Sequence, residues 1–274
     1  MKEYFEGWYF KHQANGKTLA LIPGKAVDGA FIHIVTDEKS YYITYPLSEY
    51  HNDFTLTIGD NVFSKSGIIL NIDTPDIKLI GEIKYNNLTP INGDIIGPFK
   101  FFPMECRHGI ISMQHDLQGQ VRLGSETYDF DHGKGYIESD SGRSFPASYT
   151  WIHCNDFEEN CSITAAVAKI PFYGLKFWGC ICVITLNGKE YRLATYKGVK
   201  IITSEPGIID LKQGKYRLTI NVHSEGGHSL PAPRYGKMDH EILEDISCRA
   251  LFKFTKGKQV LFEGISDQAS YEYH

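Results

Sequence analysis

Glu138, Asp140 and Arg143 are the residues whose types and spacing could carry acid–base chemistry in this chain. They lie in a glycine-punctuated segment, GKGYIESDSGRSFPASYTWIHCN, residues 133–155. Read as a strand, GKGYIESD puts Tyr136, Glu138 and Asp140 on one face and Ile137 and Ser139 on the other. The two carboxylates then sit roughly 7 Å apart by strand rise. Like charges this close disfavour double ionisation, so one pKa rises and that group can hold a proton near neutrality. A held proton is what protonation of an alkene or a leaving group needs. Lys134 and Arg143, the latter just past the Ser141-Gly142 turn, oppose this by favouring both charged forms. The same residues also fit a structural use, a strand-end ion pair that fixes a turn between domains.

Other candidates have two uses each. The alternation of 109–117 places Ile111, Met113, His115 and Leu117 on one face, so His115 reads as a hydrogen-bonded core histidine or as an acid or base lining a pocket. Trp8, Tyr9, Tyr149 and Trp151 are aromatic strand residues that fit a core or the wall of a ligand cavity. Glu105, Arg107 and His108 form a polar knot after an aromatic run and read as an Arg–Glu structural pair. The 11 histidines make no HExxH and no two-His-plus-carboxylate spacing, so no metal is assigned. GxSxG is absent and no GxGxxG follows a strand, so neither a nucleophile elbow nor a dinucleotide cofactor is implied.

The elements that must position these residues are strands. The 13% aromatic content, with 17 Tyr and 16 Phe, favours sheet. Short apolar runs separated by turn signals recur along the chain. Residues 54–58 alternate with Phe54, Leu56 and Ile58 on one face, and 216–223 alternate strictly from Tyr216 to His223. Residues 161–170 are rich in alanine, but Ile163, Val167 and Ile170 build no helical stripe of useful length, so this run too reads as strand. Asn187-Gly188 is the strongest hairpin signal. A net charge of −5 argues against a nucleic-acid surface. The start, MKEYFEGWYF, has charges within its apolar run and no small-residue cleavage site, so it does not read as a signal peptide. No apolar run approaches the roughly 20 residues that span a bilayer. The six cysteines have no CxxC pair, and they are expected as free thiols in a cytoplasmic protein.

A weak internal repeat runs through both halves. Gly7-Trp8-Tyr9, Leu21-Ile22-Pro23, Phe31 to Val35 and Tyr41 to Tyr45 parallel Tyr149 to Ile152, Lys169-Ile170-Pro171, Cys180 to Ile184 and Tyr191 to Tyr196. Two copies of one β unit are the economical reading, divided as 1–125 and 126–274.

The segment GYIESDSGRSFP with Trp151 resembles the signature of the tocopherol-cyclase-like family, approximately GYIEKDWGxSFPxxWxW. YFEGWYFK at 4–11, Ile22-Pro23-Gly24, GPFKFFPMECRHGIISMQH at 97–115, Ala194-Thr195-Tyr196 and the Gly226-Gly227, Ala232-Pro233 pairs resemble it too. The family lysine is Ser139 here, and the family tryptophan before the glycine is Ser141. The resemblance implies an all-β fold of two lipocalin-like antiparallel barrels packed together, with a Gly-Trp near the first strand closing one barrel end. It also implies cyclisation of a prenylated quinol, an isomerase reaction with no cofactor. An acid protonates the prenyl double bond and the phenol oxygen captures the tertiary cation. Glu138, Asp140 and Arg143 would then be catalytic, with Trp8, Tyr9, Met113, His115, Tyr149 and Trp151 against a small hydrophobic ligand. A carrier of an isoprenoid or quinone and an isoprenoid hydratase stay open beside it, as does peripheral contact with a membrane.

Overall fold

Residues 4–172 and 174–274 are described by the structure, a computed structural model; residues 1–3, the first of the stretch weighed above as a signal peptide, lie outside them. No α-helix occurs among the described residues, and no helix is long and apolar enough to cross a membrane.

Two antiparallel sheets make up the protein. The first holds β1 (Phe5–Ala14), β2 (Lys17–Ala26), β3 (Gly29–Thr36), β4 (Ser40–Tyr45), β5 (Tyr50–Asn52), β6 (Leu56–Ile58), β7 (Asn61–Ser64), β8 (Gly67–Asp73), β9 (Lys78–Asn86), β10 (Cys106–Leu123), β11 (Glu126–Asp129) and β12 (Lys134–Gly142). The second holds β13 (Tyr149–Cys154), β14 (Cys161–Phe172), β15 (Leu175–Leu186), β16 (Lys189–Ala194), β17 (Lys200–Glu205), β18 (Ile208–Gln213), β19 (Tyr216–His223), β20 (His228–Arg234), β21 (Lys237–Lys256) and β22 (Gln259–Tyr273).

The two strand orders are the same pattern. The first runs β4-β3-β2-β1-β12-β10-β9-β8-β7-β6-β5, the second β16-β15-β14-β13-β22-β21-β19-β18-β17. In each, a four-strand meander is continued by the last strand of the unit, after which the order counts backwards. The sequence repeat falls on matching strands, β1 to β4 on β13 to β16. Each sheet folds around its own core. One includes Phe10, Leu21, Ile58, Phe63, Ile83 and Ile137; the other includes Ile163, Cys182, Ile220, Phe252 and Phe254. A third buried cluster, with Tyr9, Met113, Tyr136, Tyr149, Trp151, Val183 and Ile242, lies between the sheets.

Several expectations change in detail. The all-β expectation is met by two antiparallel sheets; among the described residues no backbone pairing joins the outer strands of either one. The division at 125/126 cuts through the first sheet, because β11 and β12 pair with β10; the chain changes sheet over residues 143–148. Phe54 does not join Leu56 and Ile58 but is fully exposed at 104%, since residues 53–55 form the bend before β6. The single face read for 109–117 is broken by register shifts between Ile110 and Ser112 and between Ser112 and His115. A bulge turns successive side chains to different sides, so Met113 points between the sheets while Leu117 enters the first core. The alanine-rich run is β14, and Asn187-Gly188 (φ 50° and 77°) makes its tight turn as read. All six cysteines are free.

Candidate active site between the two sheets

β12 positions the central residues because it is paired on both sides, with β1 and with β10. Its alternation sends Ile137 into the first core and Tyr136, Glu138 and Asp140 towards the second sheet. Two glycines of the segment are required by close approach. A Cβ on Gly135 would lie 2.2 Å from His115 Nε2, and one on Gly142 2.1 Å from the Glu105 carbonyl. Ser139 and Ser141, where the family signature has Lys and Trp, belong to the odd-numbered face with Ile137. Neither lines a cavity with the carboxylates.

Glu138 is buried, 5% exposed. One of its oxygens accepts a 2.5 Å hydrogen bond from the Tyr136 hydroxyl and lies 3.4 Å from His108 Nε2. The other ring nitrogen of His108, Nδ1, is 3.1 Å from Asp140. The imidazole therefore bridges the two carboxylates. Burial pushes Glu138 up to about 7; the His108 charge opposes this and the Asp140 charge adds to it. Burial lowers His108, but the two carboxylates more than reverse that and raise it to about 9. The ligand atoms of His108, Glu138 and Asp140 lie within 4.8 Å of one another, close enough for a metal ion. A metal needs the neutral imidazole, whereas here both ring nitrogens meet carboxylates, so the group is better suited to an imidazolium ion pair.

Two more buried acids come from the second sheet. Glu272 on β22 occupies the place that Glu138 has on β12: Tyr9 is paired with Glu138, and Trp151 with Glu272. Glu272 accepts a 2.6 Å hydrogen bond from Tyr149. Glu244 is directly across the ladder from Glu272, is 0% exposed, and neither of its oxygens has a hydrogen-bond partner among the described residues. Burial raises both to about 8; the Glu272 charge adds to this for Glu244, and for Glu272 the Tyr149 hydrogen bond and the His108 charge oppose it while the charges of Glu138 and Asp140 add to it.

These acids separate two cavities. The larger, about 140 Å³, is mostly apolar. Its inner end is His108, Glu138, Asp140, Tyr149, Trp151 and Glu272; its walls are Ala166, Ala168, Cys180 and Ile181 of β14 and β15; its outer end is Phe99, Ile170 and Phe177. The smaller, about 70 Å³, is bounded by Trp8, Tyr9, Ile22, Phe31 and His33 of the first meander, with Leu230, Ile242 and Glu244. Glu138, Asp140, Phe145 and Glu272 border both. Because β1 to β3 correspond to β13 to β15, the two cavities occupy corresponding places in the two units.

The sequence candidates are thus divided. Glu138, Asp140, Tyr149 and Trp151 meet at the larger cavity, and Trp8 and Tyr9 line the smaller one. Met113, 0% exposed, packs between the sheets without lining either. His115 packs on Tyr85 at 4.4 Å and lies 3.3 Å from Ser112 Oγ; burial lowers it to about 3, so it stays neutral. Arg143 is exposed, its guanidinium 5.7 Å from the Tyr235 ring centre, and it lines neither cavity. Reading the sequence missed the part played by His108, and it missed Glu244 and Glu272 altogether. Extending the repeat from the meanders to the last strands, YIE at 136–138 onto SYE at 270–272, would have found Glu272.

Residues 97–234, half of the chain, match the family described as tocopherol cyclase-like. The chain belongs to that family. No curated protein sequence matches it. Solved structures share the fold over nearly its whole length. A protein of Nitrosomonas europaea assigned as AttH is 13% identical, with 98% of this chain and 92% of that one covered and a TM-score of 0.56. Kievitone hydratase from Nectria haematococca is 12% identical, with 98% and 88% covered and a TM-score of 0.54. CghA is 8% identical, with 99% and 86% covered and a TM-score of 0.57. Identities this low speak to fold alone.

Proposed function

We propose that the larger cavity takes the reacting end of a prenylated quinol or related isoprenoid and that Glu138 protonates its double bond. The observation that carries this is a buried carboxyl, raised to about 7, that lines an apolar cavity together with Tyr149 and Trp151. At neutral pH such a group is half protonated and surrounded by little competing water. The Glu138 proton forms a C–H bond at the alkene and leaves a tertiary cation, which the faces of Tyr149 and Trp151 stabilise. The phenol oxygen closes on that carbon, and its proton returns to the Glu138 carboxylate. The net reaction is an isomerisation. His108, held as a cation between Glu138 and Asp140, steadies the carboxylate that forms on Glu138.

Hydration is the second reading, and the smaller cavity favours it. His33 Nε2 and both oxygens of Glu244 are buried there without partners among the described residues. Orphaned polar atoms around a space of about 70 Å³ suit ordered water. Water held behind the acids could capture the cation in place of the phenol.

Glu138→Gln tests the acid. The amide keeps shape but delivers no proton, so turnover of a short-chain prenylhydroquinone should fall at least about 100-fold with affinity unchanged. Wild-type turnover should decline as pH rises through about 7, where Glu138 loses its proton. Incorporation of ¹⁸O from labelled water separates hydration from cyclisation. Tight binding with no turnover by the parent protein would make this a carrier and end the acid assignment.

A further inference from the structure

The outer end of the larger cavity is built from two segments. Phe99, in the 3₁₀ turn Gly97–Phe101, stacks on Phe177 of β15 at 6.0 Å, and Ile170 of β14 is paired with Phe177. All three are half-buried, so the cavity reaches the surface here. The same two segments also hold large apolar side chains in solvent: Phe101 is 80% exposed, Leu175 75% and Trp178 49%. Large apolar groups left in solvent on the two segments that build this end of the cavity mark an interaction surface.

Charge decides what the surface fits. Residues 95–104 and 161–189 contain no Asp or Glu, although the chain carries a net −5. Lys100, Lys169 and Lys176 are exposed within them. Lys169 is the ladder partner of Trp178, and Lys176 adjoins Leu175, so cationic and apolar side chains alternate around the rim. We propose that this rim docks on the surface of an anionic lipid bilayer, with Phe101, Leu175 and Trp178 entering the headgroup region and the lysines meeting lipid charge. Aromatic and lysine side chains together are suited to that boundary. A second copy of the chain fits less well, because a two-fold contact through this patch would bring the lysines of both copies together. Docking would let a hydrophobic ligand pass from bilayer to cavity without crossing water. That purpose rests on the function proposed above; the surface itself does not.

The test is vesicle co-sedimentation with purified full chain at low and physiological salt. Vesicles of phosphatidylglycerol and phosphatidylcholine should bind the protein, and pure phosphatidylcholine should bind it at least about tenfold more weakly. Phe101→Ser, Leu175→Ser and Lys176→Glu should each weaken binding by about tenfold. Phe54→Ser should not, although Phe54 is more exposed at 104%, because it belongs to the other sheet. Trp178 emission should shift to the blue on vesicle addition and be quenched by brominated lipid, and Trp178→Phe should remove that response. Glu138→Gln should bind vesicles as the parent does, so loss of the acid reading and loss of the docking reading give different results. Absence of vesicle binding, equal weakening by Phe54→Ser, or a lipid-free dimer that Phe101→Ser dissociates overturns the proposal.

Discussion

Replacing Glu244 by glutamine should flatten the pH dependence of stability. Glu244 is 0% exposed, lies across from Glu272, and has no hydrogen-bond partner among the described residues. The charged groups that act on it are Glu272 and Asp245, which raise its pKa, and Lys11, which lowers it. Its pKa goes from 4.5 unfolded to about 8 folded, mainly through burial. The folded state therefore holds the proton more tightly, so this contribution is fully present below 4.5 and is lost as pH rises through 8. Titrating alone between pH 5 and pH 9, the group would cost the native state about 4 kcal/mol, an upper figure because Glu272 shares the effect. Glutamine removes the charge and leaves an unpaired amide that costs about 1 kcal/mol at every pH. It also relieves Glu272 of a neighbouring charge. Urea unfolding at pH 5, 7 and 9 and fixed ionic strength measures this. The variant should be slightly less stable than wild type at pH 5 and more stable at pH 9. A wild-type-to-variant difference constant to within about 1 kcal/mol across that range would refute the account of these buried acids.

Two further outcomes follow from packing. Gly135→Ala should destabilise by about 1–3 kcal/mol in urea unfolding, because the added methyl meets the His115 ring, itself wedged against Tyr85; an unchanged midpoint would mean that the ring yields freely. Thiol titration should find six reactive cysteines in denaturant without reductant and at most slow reaction in the native state, since all but Cys106 are buried; any blocked thiol in denaturant contradicts the free cysteines of the fold.

Much of this arrangement was legible in the chain itself. Alternation along 134–142 put Tyr136, Glu138 and Asp140 on one face, because a strand's side-chain period is fixed by backbone geometry whatever surrounds it. The repeat placed the two meanders on corresponding strands, and Asn187-Gly188 set its turn through local backbone preference alone. What was not legible is contact between residues far apart in sequence. His108 looked like part of a polar knot with Glu105 and Arg107, yet pairing of β10 with β12 carries it to Glu138 and Asp140. Arg143, three residues from Asp140, looked like its partner, yet its exposed guanidinium lies against Tyr235. The shifts in β10 turned Met113 away from the face of Leu117, and no period in the sequence reports a bulge. Above all, the raised pKa values of Glu138, Glu244 and Glu272 come from burial between two sheets. The sequence determined which residues could hold a proton; only the packing of one sheet on the other removed the water and brought three distant acids close enough for one to keep it.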